Sequence, residues 1–204
     1  MSQRQLTLAS ASPSRLRLLL AAGVEPNVMV SGVDEDAVVD ALAPLTDAAG
    51  VAVALAQAKA REVAASLGDQ ALVVGCDSVF VVDGEILGKP ETAETARSRW
   101  RQMRGNSGTL ITGHCLIDTT NSREVSAVAE TTVLFADVSD AEVDWYVASG
   151  EPLQVAGSFT LDGRAAPFVV RIDGDPSNVI GLSLPLLRTL LGSIGIDWTS
   201  ITHR

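Results

Sequence analysis

Along the chain the period of apolar positions switches repeatedly between two, the mark of a strand, and about 3.6, the mark of a helix. Residues 4–10 alternate and predict a short first strand. Ser12-Pro13 then opens a helix, with Leu16, Leu19 and Leu20 at helical spacing and Gly23 as its stop. Thr46-Asp47 opens an alanine-rich helix running to Leu67, with Val51, Leu55 and Ala58 as its apolar face and Gly68 closing it. The β-branched run from Ala71 to Val82 reads as a strand, and Asp83-Gly84 turns it back into Glu85-Ile86-Leu87.

Downstream, a helix fits Thr92 to Arg104, and strands fit 109–118 and 124–135 around the polar turn Thr120-Asn121-Ser122. Ser139 and Glu142 make a capping box for a helix reaching Ser149. A strand at 166–173 leads into the turn-rich stretch 173–178, and Ser183-Leu184-Pro185 opens a last helix. Strands alternating with helices predict an α/β fold, and hairpins among them predict a mixed rather than a purely parallel sheet. No repeat or linker breaks the pattern, so residues 1–204 read as one domain with room for two lobes.

Composition adjusts this picture in four places. Aromatic residues are 4% of the chain, which predicts an aliphatic core. The net charge of −10 argues against a surface that tracks long nucleic acid, although a small polyphosphate needs only a local cluster of cations. No apolar stretch approaches the ~20 residues of a membrane helix, and the first residues lack the apolar core of a signal peptide, so the expectation is a cytoplasmic protein without a membrane partner. Cys76 and Cys115 lie in apolar runs and read as reduced, buried thiols.

Candidate chemistry is sparse. Ser10-Ala11-Ser12-Pro13-Ser14-Arg15 places hydroxyls and an arginine at a helix N-terminus, where free N–H groups favour an anion. A capped helix with a solvated arginine is the plainer alternative. Asp77 interrupts an apolar strand, where an ionised carboxylate is costly unless a cation or metal pairs with it. Bonding to Ser78 or to nearby backbone would also account for it. Lysine occurs only at Lys59, among small helix neighbours, and at Lys89, after the hairpin; either suits a phosphate chain or plain solvent. Asp34-Glu35-Asp36 offers hard oxygens to a cation or forms a solvated acidic loop. His114 and His203 are too isolated to build a nucleophilic triad, and no Walker, Rossmann or zinc-protease motif is present.

In order, the strings Leu8-Ala9-Ser10-Ala11-Ser12-Pro13 with Arg15, Val33-Asp34-Glu35, Leu55-Ala56-Gln57-Ala58-Lys59-Ala60, Gly75-Cys76-Asp77-Ser78, Gly88-Lys89-Pro90, Thr112-Gly113, Gly150-Glu151-Pro152 with Ala156-Gly157, and Asn178-Val179-Ile180-Gly181-Leu182 resemble the Maf family of nucleotide pyrophosphatases. The resemblance runs from Leu6 to about Leu191. It implies the Maf and inosine-triphosphatase-like α/β fold, a long twisted mixed sheet flanked by helices, with a central cleft between two lobes. It also implies hydrolysis of nucleoside triphosphates, including non-standard ones, to monophosphate and pyrophosphate, and a link to arrest of septum formation. A non-catalytic nucleotide-binding regulator of septum formation is the alternative.

By the same resemblance, Asp77 is the proton acceptor, and Lys59 and Lys89 stabilise charge in the reaction. Ser10, Arg15, Lys59 and Lys89 line the triphosphate site, while Glu35 and Asp77 hold a divalent cation, Mg²⁺ or Mn²⁺. Gln154 and Ser158 fall on the base side of the substrate. Ser14 stands where many members carry an arginine. Gln154, Val155 and Asp162 depart from the pyrimidine-preferring pattern, and Ser158-Phe159 is closer to the branch acting on 7-methylguanosine triphosphate. The resemblance leaves room for a homodimer.

Overall fold

The computed structural model describes residues 4–44 and 46–202. In chain order it contains β1 (Leu6–Leu8), α1 (Pro13–Ala21), β2 (Asn27–Val28), α2 (Glu35–Asp40), α3 (Ala48–Leu67), β3 (Leu72–Val82), β4 (Glu85–Leu87), α4 (Ala93–Met103), β5 (Ser107–Asp118), β6 (Arg123–Phe135), α5 (Asp140–Ala148), β7 (Val169–Asp173), α6 (Pro176–Ile180) and α7 (Leu184–Ser193). Seven strands form one sheet in the order β2-β1-β3-β5-β6-β7, with β4 paired to β3. β1 runs parallel to β2 and β3, whereas β4 runs antiparallel to β3 and β7 antiparallel to β6. The architecture is therefore the mixed α/β one expected.

Local chemistry sets the element ends. Ser12, Asp47, Thr92, Ser139 and Ser183 each accept a backbone N–H in the first turn of the helix that follows, and the Ser139–Glu142 box is closed in both directions. The β3–β4 turn has positive φ at both Asp83 and Gly84, the backbone a two-residue hairpin requires.

Two short helices depart from the sequence reading. Asp34 accepts the N–H of Ala37 and starts α2, so the acidic cluster is a helix N-terminus rather than a loop. The stretch read as a turn at 173–178 becomes helical from Pro176. Their six and five residues are too few to show a period.

The chain divides into two compact units, residues 1–77, 112–129 and 181–204 forming the first and residues 78–111 and 130–180 the second. In the first, side chains alternate across the sheet. Leu8, Val74, Cys76 and Leu116 pack with Leu19, Leu182, Leu187 and Leu191 on one face, while Val73 and Cys115 pack with Ala56, Ala60 and Val63 of α3 on the other. That core is aliphatic, as expected. The second unit is not: Phe80, Trp100, Phe135, Tyr146, Phe159 and Phe168 meet edge to face at centroid distances of 4.9–6.2 Å. The chain's few aromatics are concentrated there, which an overall percentage conceals. Among the described residues no helix is long and apolar enough to cross a membrane.

Candidate active site

β1 and β3 are parallel, with Leu8 opposite Val74. Ser10 lies two residues past the end of β1, and Asp77 lies three residues past Val74 within β3, so both fall just beyond the last β1–β3 pair. In open α/β sheets the carboxyl ends of parallel strands are where ligands are held.

From the other side, α3 brings Lys59. The helix lies close against the strands because the facing positions carry no side chain. A Cβ on Gly75 would overlap the carbonyl oxygen of Ala56, and one on Gly113 would overlap the backbone of Ala52. The buried stripe of α3 is Ala52, Leu55, Ala56, Lys59, Ala60, Val63 and Ala64, and of the Val51-Leu55-Ala58 face read from the sequence only Leu55 belongs to it. In an alanine-rich helix the apolar contrast between faces is too weak to fix the rotation.

Lys59 is 9% exposed. Its Nζ lies 2.6 Å from Asp77 Oδ1 and 2.7 Å from Glu35 Oε1. The Asp77 side chain is largely buried, whereas that of Glu35, in the first turn of α2, is 56% exposed. One ammonium thus holds two carboxylates together, and the awkward aspartate has a charge partner rather than a local backbone role.

At the adjoining helix N-terminus, Ser12 Oγ caps α1 by accepting the N–H of Arg15. Arg15 is not solvated. It is 9% exposed, its Nε donates to Gly181 O at 2.7 Å and its Nη1 to Ser10 Oγ at 3.0 Å. Of the leucines at helical spacing, Leu19 is fully buried and Leu20 is 48% exposed. The α1 N-terminus, Ser10 and Arg15 together form an anion-favouring corner.

The remaining sequence-predicted residues belong to the second unit. Lys89 is exposed beside the buried Pro90, and Gln154 is exposed at the end of a 3₁₀ turn. Ser158 is fully buried with φ +61°, and its carbonyl accepts the indole N–H of Trp100 at 2.8 Å. Among the described residues its hydroxyl has no hydrogen-bond partner. Both cysteines are free and buried, as expected, and burial, the largest influence, pushes Cys76 up to about 12 and Cys115 up to about 11. His203 lies outside the described residues.

His114, too isolated for a nucleophilic triad and read as structural or exposed, is fully buried and bonded at both ring nitrogens. The glycines at 75 and 113 were read only as part of a resemblance. Their signal was glycine inside an apolar strand, which marks a close approach of backbone.

Among the described residues no group of three or more His, Cys, Asp or Glu is arranged to hold a metal ion. Two carboxylate oxygens do converge on the Lys59 nitrogen. A hard divalent ion at a nucleotide site typically takes one or two carboxylates and fills its shell with phosphate oxygens and water, and Glu35 with Asp77 fits that demand.

The sequence profile of the Maf-like protein family matches residues 5–194. The nucleoside triphosphate pyrophosphatase of Streptomyces coelicolor is 58% identical over 200 residues, covering 98% of this chain and 95% of that protein. That of Streptomyces avermitilis is 56% identical over 200 residues, with coverages of 98% and 95%. That of Nocardia farcinica is 55% identical over 197 residues, with coverages of 94% and 93%. The Ham1 protein of Staphylococcus aureus superposes with a TM-score of 0.41 at 14% identity, over 66% of this chain and 73% of that one, a likeness too remote to bear on function.

Proposed function

Because the chain belongs to the Maf-like protein family, we propose that it is a nucleoside triphosphate pyrophosphatase, releasing the monophosphate and pyrophosphate from standard or modified nucleotides. The observation that carries the chemistry is the buried Lys59 bound to both Asp77 and Glu35, with Asp77 on β3 just beyond its last pair with β1, the strand that Ser10 follows. Residues 1–204 act in this reading as one domain, clearing the nucleotide pool of the cytoplasm.

Asp77 takes a proton from a water molecule, and that water's oxygen attacks the α-phosphorus. The new P–O bond forms as the bond from the α-phosphorus to the bridging oxygen breaks, and pyrophosphate carries away the electron pair. Lys59, held between the two carboxylates before substrate arrives, turns to the phosphate oxygens as negative charge develops on them. Ser10, Arg15 and the N–H groups of α1 hold the phosphate chain, with Lys89 as a further cation and Gln154 and Ser158 on the base side. Glu35 and Asp77 would hold Mg²⁺ or Mn²⁺, which when bound neutralises the triphosphate and polarises its oxygens.

Assay of the purified chain against standard, methylated and deaminated nucleoside triphosphates, with and without the divalent ion, tests this directly. Pyrophosphate release is expected only with the ion, and Asp77→Asn should lower turnover by about 10²–10⁴-fold with the fold intact. Near-normal release by that variant removes Asp77 from the reaction. Binding without release by the native chain favours a regulator instead.

A further inference from the structure

His114 sits in β5 between Gly113 and Cys115, with no exposed surface. Its Nε2 accepts the backbone N–H of Ser183 at 2.9 Å, and its Nδ1 lies 3.0 Å from the carbonyl oxygen of Thr112. An acceptor at one nitrogen and a donor at the other describe a neutral ring with the proton on Nδ1. A position that only had to fill space would be met by an aliphatic side chain at lower cost, since a buried imidazole must have both nitrogens satisfied.

What the ring holds is a turn that ends on Arg15. Ser183 is two residues from Gly181, whose φ of +114° aims the chain sharply, and the Leu182 between them is fully buried in the core. The Gly181 carbonyl accepts Arg15 Nε at 2.7 Å, and Arg15 Nη1 reaches Ser10 Oγ at 3.0 Å. The segment is thus pinned at Ser183 by the imidazole and at Gly181 by the guanidinium. A planar guanidinium tethered through Nε and Nη1 is held in a fixed orientation.

We propose that His114 is a positioning residue for phosphate binding, acting through the Gly181–Ser183 turn to set the orientation of Arg15. The proposal rests on the reading of Ser10 and Arg15 as the phosphate end of the substrate site. Nothing in it requires the imidazole to touch substrate.

The test is calorimetric binding of inorganic tripolyphosphate, in the presence of Mg²⁺, to the full chain and its variants. Asparagine places its amide near the Nδ1 position and cannot reach Ser183, whereas glutamine can place its carbonyl oxygen near Nε2. His114→Asn should weaken tripolyphosphate binding about tenfold, the scale of one lost hydrogen bond, and His114→Gln should stay within about twofold. In an Arg15→Gln background, His114→Asn should weaken binding no further. In the native chain, whose only other histidine is His203, tripolyphosphate should also shift the ¹⁵N resonance of His114 Nε2.

A lower melting temperature with unchanged affinity overturns the proposal, as do additive effects of the Arg15 and His114 substitutions, an unmoved Nε2 resonance, or no binding by the native chain. Should the affinity pattern hold while no nucleoside triphosphate is hydrolysed, the hydrolase reading fails and the role of His114 stands.

Discussion

Arg4 and Arg15 both flank the first strand, and their contacts give them opposite tasks. Arg4 grips Asp118 with two nitrogens at 2.8 and 3.0 Å, and Asp118, itself fully buried, also accepts from Thr120 N and Asn121 Nδ2. The Arg4 hydrogen bond is the main influence holding the Asp118 carboxyl down to about 2, helped by Asn121. Its folded value lies below the unfolded value of about 4, so its contribution is present above that value and is lost as pH falls towards about 2. Urea unfolding across that window should show stability dropping with acid, and Asp118→Asn should flatten this part of the curve while costing about 1–3 kcal/mol at neutral pH. An unchanged acid limb in the variant would place the acid sensitivity elsewhere. Arg15 was harder to read. Helical spacing picks out Leu16, Leu19 and Leu20 and passes over Arg15, because spacing counts apolar residues and cannot see a carbonyl 166 positions away that makes an arginine worth burying.

Helix ends were the most legible elements, since Ser12, Asp47, Ser139 and Ser183 announce their caps within three residues of local sequence. Rotation about a helix axis was not legible for α3, where alanines on every side give no contrast. The structure fixes it through Gly75 and Gly113, over which the helix backbone settles and so delivers Lys59 to Asp77. Gly75→Ala should therefore destabilise the chain by about 1–3 kcal/mol, the usual cost of overpacking, and weaken turnover by displacing α3. Gly113→Ala, under the same helix seven residues earlier than Lys59, should cost similar stability. Thermal unfolding and turnover of the two variants check this. Full stability in both would mean that α3 does not need those bare positions.

The first unit gathers Ser10, Arg15, Glu35, Lys59 and Asp77, while Lys89, Gln154 and Ser158 belong to the second, and the family match spans both. No spacing rule joins Glu35, Lys59 and Asp77. Their meeting comes from α3 lying on β3 and α2 lying against α3, packing that no local pattern announces. The aromatic core of the second unit was hidden for a related reason: composition averages over two units that differ. In the proposed reaction water attacks the α-phosphorus with Asp77 as proton acceptor. Turnover of a nucleoside triphosphate in ¹⁸O-water with a divalent ion should place the label in the monophosphate and leave pyrophosphate unlabelled. Label in pyrophosphate or orthophosphate would contradict the account.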